Sequence, residues 1–229
     1  MNISFLFLAV IAAIVAWWLA QQRLTAKPWL GVGLIGDTGA SSLPAAKIGL
    51  GVFLAVVGCL FALLISAYSM RMEMGEWRPA PAPKLLWLNT SMLILSSGAL
   101  QWAQVAARRG RMDAVKAGLL AGGGMALAFL AGQLVAWRQL DAAGYYLTAN
   151  PAAAFFYLIT GVHGLHILGG LVALGRTLDK AWRGVVAAEV RLSVELCATY
   201  WHFLLFVWLA LFSLLLLTDP IDQTADWLL

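Results

Sequence analysis

Six apolar runs, each close to the length that crosses hydrocarbon, decide what this chain can become. They cover residues 3–20, 48–69, 85–107, 115–140, 152–174 and 193–217. A membrane-spanning helix needs about 20 such residues. Inside lipid every backbone N–H and C=O has to be satisfied by the protein itself, which leaves helices or closed barrels. Barrel strands alternate polar with apolar and are about half as long as these runs. The expected fold class is an all-α polytopic membrane protein with six transmembrane helices. Charged residues make up 11% of the 229, about half the share of a soluble domain, so one helical membrane domain replaces a soluble core.

Loop charge orients the spans. With the N-terminus outside, the inner side holds Arg23, Lys27, Lys47, Arg108, Arg109, Arg111, Lys116, Arg176, Lys180, Arg183 and Arg191, while the outer side holds Arg71, Arg78, Lys84 and Arg138. Eleven against four, of 15 basic residues in all, places both termini outside, because cytoplasmic loops carry the excess of Lys and Arg. The net charge of +4 then reports topology, and no nucleic-acid partner is expected. The first run has no basic residue before it and no A-x-A pattern after it, so it reads as a helix rather than a signal peptide. The stretch 21–46 reads as a linker. Its GVGLIGDTG lacks the G-x-G-x-x-G spacing and a preceding strand. The chain thus divides into an extra N-terminal helix with linker, residues 1–46, and a five-helix domain, residues 47–229. Cys59 and Cys197 sit inside apolar runs as small packing residues. Gly118, Gly122 and Ala126, and likewise Thr160 and Gly164, recur at every fourth position, a spacing that lets helices approach closely in lipid.

All three histidines fall in two stretches, YLITGVHGLHILGG at 157–170 and ELCATYWHFLLFVW at 195–208. His163 and His166 share a helix face, and so do Glu195, Thr199 and His202. Counted from the run midpoints, His166 and His202 both lie roughly 5 Å toward the inner side, and Glu195 roughly 15 Å, near the interface. Polar side chains at such depths mark a site or a helix contact. Two readings are open. Neutral imidazoles from facing helices could hold a metal or the iron of a b-type haem. Alternatively, each histidine is hydrogen-bonded within the bundle and keeps helices in register. A catalytic zinc site is disfavoured by the missing H-E-x-x-H pattern.

These stretches resemble subunit III of the haem-copper oxidases, the cytochrome c and quinol oxidase family. TGVHGLHILGG resembles the family's HGLH signature, and ELCATYWHFLLFVWLALF, with Trp201 and His202, its E-x-x-x-x-YWHF-x-x-x-VW signature. LLWLNTSMLILSS and GQLVAWRQL fit the two preceding helices, so the likeness covers about residues 47–218. The resemblance implies a non-catalytic, subunit III-like bundle in a bacterial inner (plasma) membrane. It implies docking on subunit I, with subunit II alongside. It also implies bound phospholipid, support for proton uptake, and no metal or haem in this chain; haem, copper and oxygen reduction belong to subunits I and II. His163, His166, Glu195, Thr199, Trp201 and His202 become candidates for structural polar or lipid contacts, with no catalytic residue. The rival readings are an accessory subunit of a nitric oxide reductase or unusual oxidase, and a free-standing bis-histidine cytochrome b.

The sequence departs from that pattern in three places. Val57 stands where the family usually has a glutamate, and Leu205 stands where it has an aspartate. One helix precedes the shared five, against two in seven-helix members and none in compact ones. Three local expectations complete the reading. Glu195 anchors the inner end of its helix, with Arg191 as candidate partner. His163, deprived of a carboxylate at 57, turns to a hydroxyl of Thr160 or Ser96, a backbone carbonyl or a lipid oxygen. His166 and His202 face each other across adjacent helices, which approach closely at Gly164 and Gly170.

Overall fold

The computed structural model describes residues 45–77, 84–148, 150–184 and 187–217. The expected first span at 3–20 and its linker lie outside the described residues. Those described form five helices: α1 (Ala45–Met72), α2 (Leu85–Arg108), α3 (Met112–Ala142), α4 (Pro151–Trp182) and α5 (Ala187–Leu217). The chain divides into two compact units, residues 1–66 and 67–229. In the first, α1 presents Leu54, Val57, Phe61 and Ile65 as a buried stripe along one face, the three- and four-residue spacing of a helix side.

In the second unit, α2 to α5 form a closed ring of four. Each packs on its successor, and α5 returns against α2. α1, α3, α4 and α5 are long and apolar enough to cross a membrane. The expected span at 85–107 is a helix of 24 residues but is not among those four, and its side chains give the reason. Its buried face carries Asn89, Thr90, Ser96 and Ser97 beside Leu86, Leu93 and Leu100. Its exposed face carries Trp87, Leu88, Ile94, Leu95 and Trp102. Four polar side chains thus point into the bundle among leucines, while much of the outward face is large and apolar.

Local sequence explains the ends. Asn150 caps α4 by accepting from the Ala153 N–H at 2.9 Å, with Pro151 at the first helical position, where its missing N–H costs nothing. α2 closes on Gly110 at φ 70°, with the Arg111 N–H donating back to Ala106 O, the left-handed exit that glycine allows. α4 and α5 run beyond their apolar stretches, to Trp182 and back to Ala187, because charged residues such as Arg176 and Lys180 are tolerated on a helix once it leaves hydrocarbon.

The ring is tight where glycine permits it. A Cβ on Gly118 would stand 2.8 Å from Ala103 Cβ, and one on Gly122 3.0 Å from Leu100 Cγ, so the predicted small-residue face of α3 is the α2 contact. A Cβ on Gly170 would meet Trp201 Cζ3 at 2.7 Å and Tyr200 Cε1 at 2.8 Å. Gly164 differs from expectation. It faces Leu130 of α3 at an ordinary 3.5 Å, so the close approach of α4 and α5 rests on Gly170 alone of the two.

Candidate functional site

The polar side chains of the bundle meet in pairs that tie one helix to another. On α5, Trp201 is fully buried and its Nε1–H donates to Ser96 Oγ at 2.9 Å. Ser96 Oγ–H in turn donates to the Gly122 carbonyl on α3 at 2.7 Å. One indole and one hydroxyl thus join three helices. Two turns further along α5, Trp208 Nε1–H donates to Thr90 Oγ1 at 2.9 Å, and Thr90 passes its proton to its own helix at Leu86 O, 2.7 Å away. Trp137 on α3 donates to Thr160 Oγ1 on α4 at 3.0 Å in the same manner. An indole offers one donor and no acceptor, and a hydroxyl both accepts and donates, so each Trp–hydroxyl pair closes with no group left over.

The histidines divide by environment. His163 is 0% exposed, between the rings of Phe129 at 5.8 Å and Trp208 at 5.1 Å. Its Nε2–H donates to the Leu204 carbonyl of α5 at 3.0 Å, so of the expected partners it takes a backbone carbonyl. Ser96 is committed to Gly122, and Thr160 to Phe156 O at 2.6 Å. His166 is half-buried and its Nδ1–H donates to Val162 O one turn back at 2.8 Å, while its own carbonyl accepts the Tyr200 hydroxyl at 2.8 Å. His202 turns away from α4 altogether. Its Nε2–H donates to Gln101 Oε1 at 3.0 Å, and its Nδ1 accepts from Ser97 Oγ at 2.5 Å, both on α2.

The expected facing of His166 and His202 is therefore not what the fold builds. α4 and α5 are neighbours, and Tyr200 lies level with His166. Residue 202, two positions on, is rotated by about 200° around the helix. Thr199 donates to the Glu195 carbonyl at 2.9 Å, and the Glu195 side chain is half-buried in the N-terminal part of α5. Axial coordination of a haem needs two imidazoles aimed at one point; His166 is aimed along its own helix and His202 at α2. Among the described residues no group of three or more His, Cys, Asp and Glu converges.

Sequence reasoning missed several members of this network. Gln133 of α3 is 3% exposed and accepts from Asn89 Nδ2 at 3.4 Å. Tyr157 OH lies 3.0 Å from Tyr145 O and 3.3 Å from Trp137 O. Thr177 and Cys197 meet at 3.3 Å. A spacing signal was present: Trp201 and Trp208 are seven apart on α5, and Ser96 and Thr90 six apart on α2, matching steps for antiparallel helices.

Comparison with known proteins points one way. The family described as cytochrome c oxidase subunit III matches residues 33–217. "Cytochrome c oxidase subunit 3" of Synechocystis sp. is 31% identical over 216 residues, 86% of this chain and 90% of that protein. The protein of the same name from Thermostichus vulcanus is 32% identical over 176 residues, covering 73% and 85% of the two chains. "Probable cytochrome c oxidase subunit 3" of Mycobacterium tuberculosis is 32% identical over 159 residues, covering 68% and 77%.

Proposed function

This chain belongs to the cytochrome c oxidase subunit III family, and from that premise we propose that it is the non-catalytic structural subunit III of a proton-pumping respiratory oxidase. It docks mainly on subunit I, with subunit II nearby, and binds phospholipid. It supports assembly and proton uptake while oxygen is reduced on the haems and copper of its partners. Its setting is a bacterial plasma membrane, crossed six times with both termini outside; the eleven-to-four loop charge supports that orientation. The 24-residue α2, about 36 Å long, counts as a span in this reading because Asn89, Thr90, Ser96 and Ser97 face the ring.

The observation that carries the reading is the use to which the signature residues are put. Trp201 engages Ser96, His163 the Leu204 carbonyl, and His202 both Ser97 and Gln101. Each of these bonds joins two helices of the same chain. Residues so committed lock a scaffold, and none is turned to a common reactive point.

Two measurements on protein purified from membranes test this. Mass spectrometry of the co-purifying polypeptides is expected to find the catalytic oxidase subunits. An optical spectrum of the isolated chain is expected to show no Soret band. A stoichiometric haem or metal on the isolated chain overturns the non-catalytic role, and so does absence of oxidase subunits from the preparation.

A further inference from the structure

One amide at membrane depth has no acceptor among the described residues. Gln101 lies on the exposed side of α2, seven residues before the helix ends at Arg108, hence about 10 Å inside that end. Its Oε1 is held by His202, itself exposed at the same level of α5. The amide Nε2, with two N–H groups, donates to nothing among the described residues. Other outward-facing polar side chains of the ring behave differently. Ser91 donates to Trp87 O at 3.0 Å and Ser213 to Leu209 O at 2.8 Å, so each is satisfied by its own helix. A carboxamide held by His202 has no such escape, and hydrocarbon offers no acceptor.

Beside it the surface is shaped for close approach. Gly98 is exposed one turn before Gln101 and has no heavy atom within 4 Å of a built Cβ. A glycine beside a polar side chain is where membrane helices come together, the first allowing backbone contact and the second supplying the hydrogen bond. A lipid cannot fill this role, because ester and headgroup oxygens lie at the interface, about 15 Å from the bilayer centre. A second copy brings the same Gln101 to the seam, with one of the two lone pairs of its Oε1 already taken by His202.

We propose that the seam between α2 and α5 at Gly98, Gln101 and His202 is a docking face for a transmembrane helix of an oxidase partner subunit, whose carboxylate, hydroxyl or carbonyl oxygen accepts from the Gln101 amide. The inference rests on the reading of this chain as an oxidase subunit and deepens it by naming the face.

The test uses the assembled complex in native membranes, with a photoreactive amino acid at position 98 and, as a control, at Leu134 on the exposed face of α3. Position 98 is expected to capture an oxidase polypeptide. Q101L is expected to lower retention of this chain in the detergent-washed complex about three- to tenfold, and by more than H202L, which breaks the same α2–α5 tie but keeps the amide. If the chain co-purifies with the oxidase but position 98 captures only lipid, a second copy or residues 1–44 of its own chain, the face assignment falls and the subunit reading stands. If no oxidase polypeptide co-purifies, both fall. Retention of Q101L at the wild-type level also overturns the face assignment.

Discussion

At the scale of single residues, the sequence placed the polar groups but not their orientations. Two histidines at matching depth on adjacent antiparallel helices invited pairing. Whether they meet depends on rotation about each axis, and a shift of two residues in which side chain faces inward turned His202 to α2. Glycine contacts depend on rotation in the same way, which gives a sharp comparison. Gly169 and Gly170 are adjacent, yet a Cβ on the first meets nothing within 4 Å and a Cβ on the second meets two aromatic rings. Gly170→Ala is expected to destabilise the chain by about 1–3 kcal/mol, as overpacking does. Gly169→Ala should be neutral or stabilising by up to about 1 kcal/mol, the helix propensity difference. Thermal melts of the detergent-solubilised protein read both, and equal effects would remove the argument that Gly170 sets the α4–α5 distance. A second comparison addresses the relay from α5 to α3. Trp201→Phe and Ser96→Ala remove the two ends of one hydrogen bond. Their double-mutant cycle is expected to show a coupling of about 0.6 kcal/mol, and at most about 1.7, the range for side-chain bonds inside membranes. Additive losses would mean the bond contributes nothing beyond packing.

At the scale of helices, run length located α1, α2 and α3 within a few residues at both ends, and likewise the start of α4, because hydrophobic length is a property of the sequence alone. The C-terminal end of α4 and the N-terminal end of α5 ran past the apolar stretches, since a helix that has left hydrocarbon needs no apolar residues. The nature of α2 was only half legible. Asn89, Thr90, Ser96 and Ser97 stood out in an otherwise apolar run, but that they all turn inward is a fact of packing. This has a consequence for insertion. Polar side chains raise the cost of placing a lone helix in lipid, and α2 recovers that cost only when Trp201, Trp208, Gln133 and Gly122 are present to bond with it. An insertion reporter carrying α3 alone is expected to show efficient integration. One carrying α2 alone should integrate poorly, and the α2–α3 hairpin, which supplies Gln133 and Gly122 but not the two tryptophans, should restore it in part. Efficient integration of α2 by itself would show that its polar face needs no bundle.

At the scale of the whole molecule, orientation follows from charge at the connections between helices. Consecutive helices of the ring are joined by short turns at Gly110, Gly144 and Gly184, each at positive φ, so the first and third turns share one side and the second lies opposite. Arg108, Arg109 and Arg111 flank the first turn, and Arg176, Lys180, Arg183 and Arg191 the third. Between Arg138 and Arg176 the chain carries no Lys or Arg, so the second turn has none. Short basic loops stay on the cytoplasmic side. Topology reporters inserted at Gly110 and Gly184 are therefore expected to read cytoplasmic, and one at Gly144 the opposite side. Two adjacent turns reading the same side would break the four-helix ring. All three readings inverted would keep the ring and overturn the orientation proposed from loop charge.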